Sequence, residues 1–159
     1  MKSNSLSETN HLAGCFASYL LAGMVAGLTG PLGVGKSAFA RFVIQAACGA
    51  HIDVPSPTFT LVQAYEAPDG LTIMHMDLYR LESPENVFAL GIEDSFYEAA
   101  NLVEWPDKMA PYWPKNAISI DLSFGEGDER QIKISAPNSL LKPLFDDVIS
   151  RNLCAEFTI

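Results

Sequence analysis

The sequence predicts an α/β domain in which a sheet of mixed parallel and antiparallel strands is flanked by helices. Three observations predict it. The run Met24-Val25-Ala26-Gly27-Leu28-Thr29 is apolar on both faces, as a central parallel strand is. It leads through a Gly-rich turn into Ala38-Phe39-Ala40-Arg41-Phe42-Val43, which has helical spacing. Two further apolar runs each end in a carboxylate, Asp77 and Glu104, and ligands of such sheets lie at the carboxyl ends of the strands. With 159 residues, 48% of them apolar and 18% charged, the chain reads as one globular domain, 1–159, large enough for a real core.

Each element has a local reason. Ser7 is expected to cap a first helix that places Leu12, Phe16 and Tyr19/Leu20 on one face. A strand over 24–29 and a helix over about 37–47, closed by Gly49, follow. Val54-Pro55-Ser56-Pro57-Thr58-Phe59 must be extended, because two prolines forbid helix. Leu61–Glu66 and Leu71–Asp77 read as a hairpin around the turn Pro68-Asp69-Gly70. Ser83-Pro84-Glu85 opens a short helix ending near Gly91. Asn101–Glu104 is a short buried strand. Ala117–Ser123 and Arg130–Ala136 form a second hairpin across Gly125–Glu129. Leu140, Leu141, Leu144, Phe145, Val148 and Ile149 predict a C-terminal helical tail within 140–159.

The most specific signal is Gly30-Pro31-Leu32-Gly33-Val34-Gly35-Lys36-Ser37, a complete G-x-x-x-x-G-K-[ST] pattern between strand and helix. In such a loop, backbone N–H groups from Gly30 through Gly33, Val34 and Gly35 to Ala38 wrap phosphates, and the glycines allow that approach. Lys36 is expected on the β- and γ-phosphates, Ser37 on Mg²⁺, and the helix N-terminus faces the anion. The expected architecture is therefore P-loop NTPase-like. Asp77 and Glu104, at strand ends, are candidates to hold Mg²⁺ or its waters. Thr58, in the stiff Ser56-Pro57-Thr58 loop, is a candidate switch residue, whose hydroxyl would meet the γ-phosphate or Mg²⁺; taken alone, a plain turn role suits it better. Trp105 reads as core or as a group close to the nucleotide. His75 reads as a satisfied structural histidine.

Charge and cysteines narrow the class. A net charge of −9 argues against a broad grip on nucleic acid or an anionic membrane, which need clustered Lys and Arg. Cys15, Cys48 and Cys154 form no C-x-x-C pair, so neither a zinc site nor a disulfide frame is expected, and a reducing cytoplasm fits. From Cys15 to Val34 there is no charged residue, a length that could cross a bilayer. That stretch contains Gly23, Gly27, Gly30, Pro31 and Gly33 and runs into the phosphate loop, whose amides cannot lie unpaired in hydrocarbon. A soluble protein without membrane association is expected.

Ser56-Pro57-Thr58-Phe59-Thr60-Leu61-Val62, Asp77-Leu78-Tyr79-Arg80-Leu81, Gly91-Ile92 and Val103-Glu104-Trp105-Pro106 follow the phosphate loop in that order. In this set the chain resembles the TsaE (YjeE) family, bacterial P-loop ATPases needed to make threonylcarbamoyladenosine in tRNA. The resemblance runs from about Thr9 to Ala136. It implies ATP and Mg²⁺ as ligands, with Gly33–Ser37 on the phosphates and Ser37 on the cation. It implies Thr58 as the switch threonine, Asp77 as the Walker-B acid and Glu104 as a metal-side carboxylate. Trp105 and Arg130 would lie near the nucleotide. The implied partners are the threonylcarbamoyl transferase subunit (TsaD-like) and its non-catalytic paralogue (TsaB-like), with tRNA reached through the complex. The ATPase would be weak alone and would cycle that assembly. Pro31 replaces the acidic residue usual in the family, and Ser37 the common threonine.

Two other readings stand beside it. A small P-loop kinase would need an arginine-rich lid, and Arg41, Arg80, Arg130 and Arg151 are scattered in sequence. A guanine-nucleotide switch would need an N-K-x-D stretch, which the chain lacks.

Overall fold

A computed structural model describes residues 2–3, 5–127 and 129–136. After a two-residue strand β1 (Lys2–Ser3), helix α1 (Leu6–Ala17) starts because extended Ser5 accepts the Glu8 amide on its side chain at 3.2 Å. Ser5 and Glu8 have the S-x-x-E spacing of a capping box. Ser5, not Ser7, is therefore the cap, which corrects the expectation by two residues: the Glu lies three positions after Ser5, and Ser7 falls inside the helix.

Strand β2 (Val25–Thr29) feeds helix α2 (Lys36–Cys48), which Gly49 closes with its amide on the Gln45 carbonyl. The first hairpin is β3 (Val62–Glu66) and β4 (Thr72–Asp77). Leu61 does not open β3 as expected. It takes a left-handed φ of 66° and ties its amide to the Pro57 carbonyl, so the strand begins one residue later. Pro84–Leu90 is a 3₁₀ segment, with Pro84 at its first turn. Helix α3 (Ile92–Glu98) then leads into β5 (Ala100–Glu104), a second 3₁₀ segment (Pro106–Tyr112), β6 (Ile118–Phe124) and β7 (Arg130–Ser135).

The sheet order is β1-β7-β6-β2-β5-β4-β3. The inner strands β6, β2, β5 and β4 are parallel, while β3, β7 and β1 add antiparallel edges. The fold is a P-loop NTPase-like mixed sheet flanked by helices, as the sequence predicts. Strand alternation sends Ala26, Leu28, Leu102 and Ile120 to a core under α1 and α2, with Leu12, Phe16, Phe39, Val43 and Ile44. Phe16 and Phe39 bring these helices together, ring centroids 6.3 Å apart; such a pair contributes about 0.5–1.5 kcal/mol beyond its burial. Val25, Met76 and Val103 face the other way, onto Leu78, Val87, Ile92 and Met109. The tail helix expected within 140–159 lies outside the described residues. Among the described residues no helix is long and apolar enough to cross a membrane. The uncharged stretch from Cys15 to Val34 is divided into helix, turn, strand and loop.

Candidate functional site

The parallel register fixes the site. Asp77 and Glu104 are partners at the ends of β4 and β5, and Leu28, near the end of β2, is the other partner of Glu104. All three strands stop at one edge, where the Gly30–Ser37 loop rises from β2 and turns into α2. Leu32, Gly33, Gly35, Lys36, Ser37 and Ala38 line a cavity of about 270 Å³ there. Its other walls are Thr58, Asp77, Tyr79, Arg80, Glu104 and Trp105.

The loop needs its glycines. Gly30 has φ 130°, and a Cβ on it would lie 2.1 Å from the Leu122 carbonyl oxygen, so the loop leaves β2 pressed against β6. Gly33 and Gly35 have φ 75° and 114° and open space around them, so there the requirement is conformational. Val34 is buried, and its carbonyl accepts the Arg130 Nε–H at 3.1 Å. Arg130 also stacks over Phe124, 4.9 Å from the ring centroid. It thus braces the loop through the backbone of Val34 and is not one of the cavity's walls.

Lys36 is buried at the base of the cavity. Its ammonium donates to the carbonyls of Gly30 (2.8 Å) and Pro31 (2.9 Å) and sits 3.9 Å from the centre of the Trp105 ring. Burial pushes its pKa below the ordinary lysine value, while Glu104, Asp77 and Asp107 pull the other way. Trp105 adopts a left-handed φ of 59° directly after β5, and its ring packs on Tyr79 with centroids 5.1 Å apart. Trp105 and Leu61 are the non-glycine residues with positive φ among those described, and each flanks a site element.

Two hydroxyl–carboxylate pairs complete the geometry. Ser37 Oγ donates to Glu104 Oε2 at 2.8 Å, and Thr58 Oγ1 donates to Asp77 Oδ2 at 2.6 Å. Asp77 Oδ1 accepts the Tyr79 amide at 3.0 Å, and the Asp77 amide reaches the Leu61 carbonyl, also at 3.0 Å. The proline-stiffened segment around Thr58 is therefore joined to the end of β4 by side chain and backbone.

Among the described residues no group of three or more His, Cys, Asp or Glu side chains is placed to hold a metal ion by itself. The donors at this edge are a hydroxyl and two carboxylates, which are hard oxygens. Mg²⁺ is commonly held by one or two carboxylates together with substrate phosphates. Ser37, Asp77 and Glu104 fit a cation of that kind, bound jointly with a phosphate.

The structure gathers the sequence candidates Gly33, Gly35, Lys36, Ser37, Ala38, Thr58, Asp77, Glu104 and Trp105 around one cavity, with Gly30, Val34 and Arg130 supporting the loop from behind. Tyr79 and Arg80 also line it and were not singled out as site residues. Their signal lay in position: they come two and three residues after Asp77, and Arg80 is held over the exposed Phe59 ring at 4.4 Å. His75 departs from the expectation of a satisfied histidine. Its Nε2 is 2.9 Å from Glu104 Oε1, whereas its buried Nδ1 has no hydrogen-bond partner among the described residues.

The family model described as "Threonylcarbamoyl adenosine biosynthesis protein TsaE" matches residues 3–132. The chain is 39% identical, over 132 residues, to the tRNA threonylcarbamoyladenosine biosynthesis protein TsaE of Rickettsia bellii, covering 83% of this chain and 91% of that protein. It is 32% identical over 143 residues to the protein of the same description from Bacillus subtilis, covering 89% and 87%. Among solved structures it is similar to Bacillus subtilis YdiB, with a TM-score of 0.77 and 27% identity, over 96% of this chain and 94% of that one.

Proposed function

The chain belongs to the TsaE family, and from that premise we propose that it is the Mg²⁺-dependent ATP-binding and ATP-hydrolysing component of the machinery that makes threonylcarbamoyladenosine in tRNA. The observation that carries this reading is the convergence of a complete phosphate loop with two strand-end carboxylates, each paired to a hydroxyl. The loop amides and the α2 N-terminus bind phosphate oxygens, and Lys36 leaves its carbonyl contacts to meet the β- and γ-phosphates. Ser37, Asp77 and Glu104 are the side chains that hold Mg²⁺, which when bound neutralises charge developing on the transferred phosphoryl group. Thr58, tied to Asp77, carries the presence of the γ-phosphate into the Pro55–Leu61 segment.

The partners in this reading are a TsaD-like threonylcarbamoyl transferase subunit and its TsaB-like paralogue, in the cytoplasm. Hydrolysis cycles that assembly, and tRNA is reached through it. The deciding experiment is depletion of the protein in its host, with threonylcarbamoyladenosine measured in total tRNA. Its level should fall, and should return with the wild-type chain but not with Lys36→Ala. An unchanged level on depletion refutes the role; rescue by Lys36→Ala refutes the part of it that needs ATP.

A further inference from the structure

Strand β4 sends Ile73, His75 and Asp77 to the face that packs under α1 and α2, beside Ala100, Leu102 and Glu104 of β5. His75 is completely buried there, opposite Leu102 in the register, at a position where an aliphatic side chain would bury apolar surface without leaving a polar atom unpaired. Among the described residues its hydrogen bond goes to Glu104, and Nδ1 has none. A carboxylate only accepts, so the imidazole tautomer that meets it carries a proton on Nε2.

Glu104 is itself almost fully buried and is held at both ends: Oε1 by His75 and Oε2 by Ser37 Oγ. With Oε1 taken, the carboxylate plane is fixed, and Oε2 is the oxygen turned toward the start of α2. Released from His75, the side chain could rotate about its terminal bond and would present neither oxygen reproducibly. Groups behind a ligating side chain act on metals in this way, by orienting the ligand.

We infer that His75 is a positioning residue: its Nε2–H locks the Glu104 carboxylate so that Oε2 faces Ser37 and the cation side of the cavity. This rests on the Mg²⁺-nucleotide reading of the site, and the test has one arm that does not.

In the first arm, calorimetry gives ATP affinity with Mg²⁺ and with EDTA for the wild type, His75→Leu and His75→Gln. The ratio of the two affinities should fall in His75→Leu by about tenfold to a hundredfold, the usual effect of removing a group behind a ligand. Affinity in EDTA should hold. Gln, whose amide can donate from a similar position, should restore most of the ratio. A role in packing alone lowers the melting temperature and leaves the ratio at the wild-type value, and that result overturns the inference. In a Glu104→Gln background the His75→Leu effect should vanish; a full effect there also overturns it.

The second arm uses crystal structures of the protein without nucleotide. The Glu104 carboxylate should remain on Ser37 in His75→Gln and leave it, or occupy several orientations, in His75→Leu. An unmoved Glu104 in His75→Leu overturns the inference. Should His75→Leu fail to fold, His75→Asn takes its place in both arms: it keeps a polar group but is too short to reach Glu104, and wild-type behaviour would count against the positioning role. A wild-type chain that binds no ATP would refute the nucleotide reading, and the crystallographic arm would still decide the role of His75.

Discussion

Asp77 and Glu104 stand side by side at the ends of neighbouring parallel strands, and each accepts a hydrogen bond from a hydroxyl of a different element, Thr58 before β3 and Ser37 at the start of α2. Like charges so placed repel, and folding the chain brings them together on the same edge as the buried Lys36. An arrangement that concentrates negative charge beside a phosphate loop is stabilised when a divalent cation binds there.

Asp77→Ala and Glu104→Ala should therefore impair turnover more than nucleotide binding. Hydrolysis with partners present should fall at least about tenfold, because in the proposed function the carboxylates would hold the cation that offsets charge developing during phosphoryl transfer. Phosphate release and calorimetric affinity, measured on the same preparations, separate the two effects. Wild-type turnover by either variant would make that residue structural.

Lys36→Ala should abolish useful ATP binding and leave the fold intact. Among the described residues the ammonium contacts the carbonyls of Gly30 and Pro31, within the loop, and the Trp105 face at the cavity. Loss of a charge-assisted contact to phosphate should cost about 1.5–3 kcal/mol or more. Calorimetry checks the affinity and circular dichroism the fold; undiminished affinity would contradict the placement of Lys36 on the phosphates.

The glycines of the loop should separate by mechanism. Gly30→Ala puts a methyl group 2.1 Å from the Leu122 carbonyl, so β2 and β6 must part. Gly33→Ala meets open space at φ 75° and suffers only the left-handed penalty, about 1–2 kcal/mol. Thermal unfolding should show Gly30→Ala clearly the more destabilised of the two. Equal melting temperatures would mean that the Gly30 contact is relieved without cost.

Much of this was legible before the fold was known, and the reasons are physical. The phosphate loop is a local pattern, and Asp77 and Glu104 announce themselves as charges ending apolar runs. Thr58 directly follows Pro55-Ser56-Pro57, whose prolines exclude helix, although the extended path expected through Phe59 gives way to a turn at Thr58 that the Leu61 amide closes on the Pro57 carbonyl. What escaped the sequence depends on pairing. The contact of His75 with Glu104 exists only because β4 and β5 are adjacent in parallel register, which no local pattern encodes. Helix α3 has seven residues, too few to display a helical period, and β1 has two. Arg80 and Arg130 are far apart in the chain, yet one lines the cavity and the other braces its loop.

Cys48 should be a sluggish nucleophile. Burial raises its thiol above the ordinary value of 9.0, and Asp69 adds to this. Alkylation by iodoacetamide at pH 8, in a Cys154→Ser background, should be slower than that of a free thiol. The sign for stability follows. The folded thiol keeps its proton at a pH where the unfolded one has lost it, so stability should fall as pH rises through and above about 9. Tyr65, also raised by burial, adds in the same direction at higher pH. Urea midpoints at pH 8 and 9.5 for the wild type and Cys48→Ala check this. An equal drop in both would remove Cys48 as a cause.

The isolated chain should bind tRNA poorly and bind its protein partners differently in its nucleotide states. A net charge of −9 repels a phosphate backbone, and Arg41, Arg80 and Arg130 are occupied at Val54, at Phe59 and at Val34 with Phe124. The switch argument starts from Thr58, whose hydroxyl links the exposed Phe59 segment to Asp77. ATP that draws Thr58 toward a γ-phosphate must loosen that link and re-set the segment; ADP lacks the group that does so. A cycle can be driven only by a difference in partner affinity between these states, and a hundredfold difference corresponds to about 2.7 kcal/mol. Partner affinity should therefore be measured with a non-hydrolysable ATP analogue, with ADP and without nucleotide, for the wild type and Thr58→Ala. The wild type should distinguish the analogue from ADP, and Thr58→Ala should lose most of that distinction while still binding nucleotide. Equal affinities across the three wild-type states would defeat the switch, and tight salt-resistant tRNA binding by the isolated chain would defeat the charge argument.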